Sequence, residues 1–351
     1  MISPKSALIT GAAGSGGSYL AEFLLEEIKL DQVHGLVRWH STTSLNNLSG
    51  ISDQIIQHEC DLLDLSSLVR ILQKVQPDII FHLAAESHVD RSIINPEIFI
   101  KSNILGTFNL LQASKLHWEK LNSKRKKSFK FHHISTDEVF GTLMKNGKFN
   151  ENTKYDPRSP YSASKASSDH LVNAWFHTFN FPVITTNCSN NYGPYQFPEK
   201  LIPLAILKAY RGEKIPLYGD GSNIRDWLYI DDHLDAITLV AEKGKLGKSY
   251  CIGGFGERSN KEVLFKICNL MDEYKPKNYS HSNLIENVED RPGHDQRYAI
   301  DSTLIQKELS WMPKTNFDEG LSKTIKWYLN NLDWCELVLE KSGYDGRRLG
   351  T

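Results

Sequence analysis

The sequence lacks the patterns that are typical of metal sites, disulfide frameworks and membrane spans. Its five cysteines are scattered, odd in number and never in C-x-x-C spacing, and its thirteen histidines form no H-E-x-x-H pattern. Such cysteines are typical of reduced thiols in a cytoplasmic protein, so neither a disulfide framework nor a metal site is predicted. No signal peptide is visible, and no apolar run approaches the roughly 18 residues of a membrane span.

An excess of charge is lacking as well. The 41 Lys and Arg residues against 42 Asp and Glu residues leave a formal net charge of -1, so no overall field favours nucleic acid or an anionic membrane. One basic run, KRKK at 124–127, lies between a predicted helix and a predicted strand and has no interleaved aromatic residues. A solvated loop is therefore favoured over a nucleic-acid patch.

The first half of the chain alternates short apolar runs with longer amphipathic runs. The apolar runs predict strands at 7–10, 33–37, within 54–64, and at 78–84, 129–135 and 183–189. Strands that alternate with helices predict an α/β fold of the Rossmann type, with a doubly wound parallel sheet and helices on both faces. Ligands bind such sheets beyond the carboxyl ends of the strands.

The rhythm changes near residue 190, where loops rich in Pro, Gly and Tyr begin. The second half therefore predicts a smaller α/β lobe that covers the crevice of the sheet. We place the boundary between residues 1–188 and residues 189–351, and we allow the chain to cross between the two parts. A length of 351 residues fits one large domain or two coupled domains.

A glycine-rich turn joins the first predicted strand to the first predicted helix, with glycines at Gly11, Gly14 and Gly17. Glycines at this spacing permit a tight turn, a close approach of the backbone to a pyrophosphate and close helix–strand packing. The helix N-terminus then favours the bound anion. The position after an apolar strand makes dinucleotide binding a stronger hypothesis than a glycine-rich turn without a ligand.

The end of the second predicted strand carries no acid for a ribose 2′-hydroxyl. It carries Arg38, followed by hydroxyl residues at 41–43. An Arg here accommodates a 2′-phosphate, which favours NADP, although a solvent-facing Arg is a serious alternative. Asp61 and Leu62 follow the third strand, where adenine would lie, but Asp61 is equally suited to a helix entry.

Tyr161 and Lys165 are four residues apart after Ser159 and Pro160. Ser159 is a suitable N-cap and Pro160 a suitable first helical residue, so the Tyr and Lys side chains would share one helix face. A neighbouring ammonium group stabilises a phenolate, so Tyr161 is a candidate base in spite of a reference pKa of about 10.

Several longer motifs resemble one protein family. The glycine turn, FHLAAESHVDRSI, STDEVFG, YSASK and NNYGPYQFPEKLIP together resemble the extended short-chain dehydrogenases/reductases, and within them the nucleotide-sugar 4,6-dehydratases. The resemblance covers nearly the whole chain and is strongest to members that act on dTDP-glucose. The N-terminal stretch, including Ser15 and Gly16, is more similar to NADP-dependent members that act on GDP-mannose.

This resemblance implies a reaction and its catalytic residues. A 4,6-dehydratase oxidises C4 of the hexose, removes water across C5–C6 and returns the hydride to C6. Tyr161 would take the proton of the 4-hydroxyl group, Lys165 would lower the pKa of Tyr161 and bond the nicotinamide ribose, and Thr136 would bond O4. Glu138 would remove the C5 proton, while Asp137 would protonate the departing 6-hydroxyl. Without the rest of the pattern, a helix cap or a solvated turn would be the favoured interpretation of these two acids.

The resemblance also implies the residues that would hold the ligands. At a tightly bound NAD or NADP it places Gly11, Gly14, Ser15, Gly16, Gly17, Arg38, Asp61, Leu62, Leu83, Ala84, Ala85, Ser102, Tyr161 and Lys165. At the nucleoside-diphosphate hexose it places Ser87, Thr136, Asn190, Lys200, Leu201, Pro216, Tyr218, Arg225, Asn260, Arg291 and His294. Each has an ordinary alternative, such as Tyr218 in the core or Arg225 in a salt bridge with Asp226 or Asp220.

Other functions on the same scaffold remain open at this point. A 4-epimerase or decarboxylase needs the Tyr base but no acid–base pair for elimination, and Asp137 and Glu138 argue against it. A redox-sensing protein without catalysis would be expected to lose Tyr161 or Lys165. A GDP-sugar, GDP-mannose or GDP-GlcNAc, is the alternative substrate. The resemblance further implies a homodimer through helices at 103–116 and 166–179, whose alternative is burial within the monomer.

Overall fold

The computed structural model describes residues 4–38, 44–342 and 344. The described strands are β1 Ser6–Thr10, β2 Gln32–Val37, β3 Ile55–Glu59, β4 Ile79–His82, β5 Lys130–Thr136, β6 Val183–Cys188, β7 Asn190–Tyr192, β8 Ile215–Tyr218, β9 Ile224–Arg225, β10 Trp227–Tyr229, β11 Ser249–Ile252, β12 Arg258–Ser259 and β13 Ile285–Val288. The α-helices are α1 Ser15–Glu26, α2 Leu65–Val75, α3 Val89–Ile94, α4 Pro96–Phe99, α5 Gly106–Lys120, α6 Ser123–Ser128, α7 Pro160–Phe179, α8 Leu201–Arg211, α9 Ile230–Lys243, α10 Asn260–Tyr274, α11 Thr303–Leu309, α12 Phe317–Asn330 and α13 Leu332–Ser342.

Seven strands form one sheet in the order β11-β6-β5-β4-β1-β2-β3. Every neighbouring pair in it is parallel. The predicted doubly wound α/β fold is therefore confirmed. The order reverses at β1, and this is the place where open α/β sheets form a crevice at the carboxyl ends of their strands.

Both faces of the sheet are buried, as the sequence pattern of β1 requires. Ala7 and Ile9 belong to one apolar core, which also contains side chains of α1 and α9. Leu8, between them in the chain, belongs to a second core with side chains of α2, α5 and α7. Alternate residues of a strand point to opposite faces, so a continuous apolar run marks a strand that is covered on both sides.

Two local expectations change. The predicted fourth strand extends to residue 84, but β4 ends at His82, and the backbone N–H of Ala84 donates to Thr10 Oγ1 at 3.1 Å. The basic run at 124–127 was expected in a loop and lies instead in α6, which Asn122 caps by accepting from the backbone N–H of Arg125 at 3.0 Å.

The second half of the chain returns to the main sheet. β11 pairs with β6, and the remaining strands of this half form three two-stranded sheets, β10 with β7, β12 with β9 and β13 with β8. β11, from the second half of the chain, thus joins the main sheet, while the division after residue 188 and a crossing between two parts stay predictions. Within the described residues, the helices do not combine the length and apolar character that crossing a bilayer requires.

Candidate active site

The glycine turn has the geometry that close approach of a ligand demands. Gly11 has a φ of +71°, and a Cβ at this position would lie 2.9 Å from Ala84 Cα. A Cβ on Gly17 would lie 2.2 Å from the carbonyl oxygen of Gly11. Gly14 is the N-cap of α1, which begins at Ser15, and contributes no capping side chain. The helix N-terminus is therefore open to an anion.

A cleft at the carboxyl ends of β1, β2, β3 and β4 brings most of the predicted cofactor residues together. The predicted cofactor residues that line this cleft are Gly11, Gly14, Arg38, Asp61, Leu62, Leu83, Ala84, Ala85 and Ser102. Sequence positions more than 90 residues apart thus meet in one concave site of the kind that holds a dinucleotide in this fold. Its glycine cradle and open helix terminus fit a pyrophosphate.

Arg38 lies in this cleft between two carboxylates. Its guanidinium group pairs with Asp61 at 3.1 Å and with Glu86 at 3.1 Å. Asp61 also accepts from the backbone N–H of Leu63, whereas the N-cap of α2 is Asp64. Asp61 is therefore not the N-cap of α2, although it closes the turn that leads into this helix. The hydroxyl residues at 41–43, part of the NADP hypothesis, lie outside the described residues.

The two predicted elimination groups lie where β5 leaves the sheet. Thr136 ends β5 and caps a short 3-10 helix, Asp137–Phe140, by accepting from the backbone N–H of Glu138 at 3.3 Å. The Thr136 hydroxyl group also donates to Asp137 Oδ1. Asp137 Oδ2 is buried and has no hydrogen-bond partner among residues 4–38, 44–342 and 344.

The two carboxyl groups differ in their surroundings. Burial raises the pKa of Asp137 well above its usual range, and the charges of Glu138 and Asp226 raise it further. Burial also raises the pKa of Glu138, but the charges of Arg291, Lys200 and Arg225 oppose that rise. Such a difference favours the proton on Asp137 over the proton on Glu138.

Helix α7 begins as the sequence predicts. Ser159 is the N-cap and forms a capping box with Ser162, and Pro160 is the first helical residue. Tyr161 and Lys165 are both buried, with exposed fractions of 7% and 5%. Lys165 Nζ donates to the carbonyl oxygen of Ile134 on β5 at 2.9 Å.

The pKa of Tyr161 differs from the expectation of a lowered value. Burial raises it well above the usual range, the charge of Glu138 adds to the rise, and a hydrogen bond with Thr136 opposes it. Burial lowers the pKa of Lys165, and the charge of Asp169 opposes this effect. These surroundings therefore favour the neutral phenol of Tyr161 over the phenolate.

Three predicted substrate residues supply positive charge beside Glu138. Arg291 and Arg225 come from the second half of the chain, and Lys200 is the N-cap of α8. Arg225 is buried and donates to the carbonyl oxygens of Ile224 and Asp295. Arg225 thus bonds backbone carbonyl oxygens, and these contacts do not include the alternative salt bridge with Asp226 or Asp220.

Tyr218 and His294 lie close together at the outer side of the same region. Their ring centroids are 6.5 Å apart at an interplanar angle of 77°. The Tyr218 hydroxyl group donates to Asp90 at 3.4 Å, and His294 Nδ1 contacts Asp290 at 2.6 Å. Tyr218 is half-buried, which leaves part of its ring accessible.

The other predicted substrate residues are dispersed over elements around this region. Ser87 is exposed, and its carbonyl oxygen accepts from Lys200 Nζ at 2.9 Å. Asn190 begins β7, Leu201 begins α8, Pro216 lies in β8 and Asn260 begins α10. Their roles in binding stay predictions.

Sequence reasoning missed a set of charged partners. Asp90 on α3 pairs with Arg291 at 2.7 Å, and Arg91 pairs with Glu199 at 2.8 Å. Both pairs join the region after β4 to the second half of the chain. Alternating charge within FHLAAESHVDRSI was the available signal, but only the fold shows which distant residues these charges meet.

The family model and the curated relatives that match this chain are both 4,6-dehydratases. A family model described as GDP-mannose 4,6 dehydratase matches residues 8–324. The dTDP-glucose 4,6-dehydratase of Shigella flexneri is 48% identical over 362 residues, which cover 97% of this chain and 99% of that protein.

Solved structures of dTDP-glucose 4,6-dehydratases are also similar to this chain. A dTDP-glucose 4,6-dehydratase of Streptomyces venezuelae with NAD bound has a TM-score of 0.87 at 37% identity, covering 95% of this chain and 99% of that one. A dTDP-glucose 4,6-dehydratase of Bacillus anthracis in complex with NAD has a TM-score of 0.84 at 38% identity, with the same coverage of both chains.

Proposed function

The chain belongs to the nucleotide-sugar 4,6-dehydratase family, and on that premise we propose that it converts dTDP-glucose into the dTDP-linked 4-keto-6-deoxyhexose. The reaction oxidises C4, removes water across C5–C6 and reduces C6, with no net use of the cofactor. The relatives at 48% identity over nearly the whole chain bear the name of this reaction.

The adjacent carboxyl groups of Asp137 and Glu138 are the observation that carries the proposal. Elimination of water needs a base for the C5 proton and an acid for the departing 6-hydroxyl group at the same time. Asp137 has a strongly raised pKa, and its Oδ2 has no hydrogen-bond partner in the described part of the chain, so Asp137 suits the acid. Glu138, with three cations nearby, suits the base.

Tyr161, Thr136 and Lys165 would act at C4. Thr136 would hold O4, Tyr161 would accept its proton, and Lys165 would stabilise the phenolate from the next turn of α7. The proton that Tyr161 gains balances the one that Asp137 gives to the leaving hydroxyl group. Glu138 can return its proton to C5, so the substrate loses only water.

We propose NAD as the cofactor. It would accept a hydride from C4 and return that hydride to C6. Gly11, Gly14 and the rest of the cleft would hold it, and Tyr161 and Lys165 on α7 would contact its nicotinamide end. The structures of similar proteins contain NAD, and the pairing of Arg38 with Asp61 and Glu86 gives the NADP hypothesis no support.

One assay tests substrate and reaction together. The purified protein is incubated with dTDP-glucose, GDP-mannose, GDP-GlcNAc, UDP-GlcNAc and CDP-glucose, and the products are weighed for loss of one water. We expect the loss with dTDP-glucose. Epimerisation without loss of mass would contradict the proposal, and loss from a GDP-sugar alone would contradict the substrate. Denaturing the protein and weighing the released dinucleotide tests NAD.

We also propose a homodimer. Large apolar side chains are exposed along the predicted contact: Leu105 before α5, Leu116 on α5 and Phe179 at the end of α7, with Ile100 just ahead of the contact. Burial of such a patch against its copy would remove apolar surface from water. The measurement is molar mass by light scattering, compared between the native chain of 40.0 kDa and Leu105→Lys.

A cytoplasmic location, suggested by five unpaired cysteines, stays a prediction.

A further inference from the structure

Asp169 lies one helical turn after Lys165, and both side chains reach the same strand. Lys165 Nζ donates to the carbonyl oxygen of Ile134 at 2.9 Å. The carboxylate of Asp169 contacts His133 and Ser135, the two residues that flank Ile134 on β5. Positions four apart on a helix are neighbours on one face, so α7 presents an ammonium group and a carboxylate side by side to β5.

Four side chains surround the Asp169 carboxylate with donors. They are His133 Nε2 at 2.9 Å, the Ser135 hydroxyl at 2.8 Å, the Tyr155 hydroxyl at 2.9 Å and Asn187 Nδ2 at 3.3 Å. Asp169 is 4% exposed. A buried carboxyl group that accepts this many hydrogen bonds is held in its ionised form.

The directions of the pKa shifts agree with an ionised Asp169. Burial alone would raise its pKa, but the hydrogen bond and charge of His133, the charge of Lys165 and the bond from Ser135 outweigh burial, and the pKa is lowered. The pKa of His133 is itself lowered by burial and by Lys165. The imidazole is therefore neutral near pH 7 and donates through Nε2–H, and the lasting counter-charge of Asp169 is Lys165.

Among the described groups that interact with the charge of Lys165, Asp169 is the one that is anionic near neutral pH. Asp169 faces it from α7, Cys188 from β6, His133 from β5 and His82 from β4. Burial raises the pKa of the Cys188 thiol to about 12 and lowers that of both imidazoles. The thiol and the imidazoles are thus neutral, and without Asp169 the ammonium group would be a buried charge without compensation.

We propose that Asp169 is a positioning residue for Lys165: its buried carboxylate keeps the ammonium group charged and held against β5, one turn from Tyr161. This inference rests on the proposed function, in which Lys165 stabilises the Tyr161 phenolate. Asp169 itself contacts neither of the reacting groups, and it acts through the charge and position of Lys165.

The first test measures Lys165 directly. Protein labelled with 13C at the lysine ε carbon is titrated by NMR, and the Lys165 signal is assigned by its loss in Lys165→Arg. In Asp169→Asn the midpoint should fall by at least about one pH unit, the size of effect that a nearby opposite charge produces. Asp169→Glu keeps the charge and should keep the midpoint within about half a unit. An unchanged midpoint in Asp169→Asn would overturn the proposal.

Folding and activity controls complete the design. Circular dichroism checks each variant, and Asp169→Ser replaces Asp169→Asn if the amide variant does not fold. In the dTDP-glucose assay, Asp169→Asn should lower kcat and move its alkaline limb to lower pH, with KM nearly unchanged. A purely structural role would lower stability and leave that limb in place. If the native protein removes no water from any sugar nucleotide, the proposed function fails, while the NMR titration still decides the role of Asp169.

Discussion

Asp137 and Glu138 are adjacent in the chain, yet their carboxyl groups occupy different electrostatic surroundings. Burial raises the pKa of Asp137, and the charges of Glu138 and Asp226 raise it further, while the charge of Arg225 and a hydrogen bond from Thr136 oppose the rise. Glu138 has Arg291, Lys200 and Arg225 around it. The short 3-10 helix after β5 permits this, because residues that leave a strand no longer alternate between its two faces.

Glu138→Gln should block elimination while leaving oxidation at C4. The amide keeps the shape of the side chain but cannot accept the C5 proton, so turnover should fall roughly 10²- to 10⁴-fold, the usual contribution of a general base. The measurement is quenched-flow mass analysis together with absorbance of the reduced cofactor at early times. Full turnover by this variant would show that another group removes the proton.

The acid limb of kcat should depend on Arg291. Its charge opposes the burial-driven rise in the pKa of Glu138, so Arg291→Gln should raise that pKa further. Glu138 must be ionised to act, and the acid limb should therefore move upward by roughly one pH unit. Arg91→Gln is the matched control, because Arg91 pairs with Glu199 and is not among the charges that shift Glu138. An equal shift of the acid limb in both variants would contradict a specific effect of Arg291 on Glu138.

Asp137→Asn should stabilise the fold at neutral and alkaline pH. The pKa of Asp137 is raised on folding, so the folded state binds more protons than the unfolded state above the unfolded pKa of about 3.9. Stability is then lost as the pH rises toward the folded pKa. The amide of Asn does not ionise, so the variant avoids this loss. We expect its free energy of unfolding to be higher by about 0.5–2 kcal/mol, which is typical of a single stabilising substitution.

Urea unfolding at pH 5 and pH 8 measures the effect, because the gain should be larger at pH 8. Asp301→Asn is the comparison variant, since the pKa of Asp301 is lowered, chiefly by its bond from Thr303. That change should destabilise the protein instead. A gain for Asp137→Asn that is larger at pH 5 would contradict the sign argued here.

Local patterns predicted much of the fold and the centre of the site. The glycine turn, the strand runs and the Ser159–Pro160 helix start depend on residues close in sequence, and apart from the end of β4 the structure has them close to where the pattern places them. The helix in the basic run was missed although Asn122 was an available N-cap, because six residues are too few to show helical periodicity.

Long-range partners were beyond such patterns. The ion pair between Asp90 and Arg291 joins residues 201 positions apart, and the strand β11 joins the sheet beside β6 from the second half of the chain. Asp169 had a usable signal, an acid four residues after Lys165 on one helix face, but its bonds to His133, Ser135 and Tyr155 are set by tertiary packing.

Gly16 and Gly17 provide a matched pair for the glycine turn. A Cβ on Gly17 would lie 2.2 Å from the carbonyl oxygen of Gly11, whereas a Cβ on Gly16 would meet its nearest neighbour, Leu83 Cδ2, at 3.5 Å. Gly17→Ala must therefore push α1 away from the turn, at a cost of about 1–3 kcal/mol, and should reduce the NAD retained on purification. Gly16→Ala lies in ordinary contact within α1 and should be neutral or stabilising by up to about 1 kcal/mol. Thermal unfolding and the dinucleotide content per chain measure both effects. A Gly17→Ala protein with native stability and a full complement of dinucleotide would refute the close-packing role assigned to this glycine.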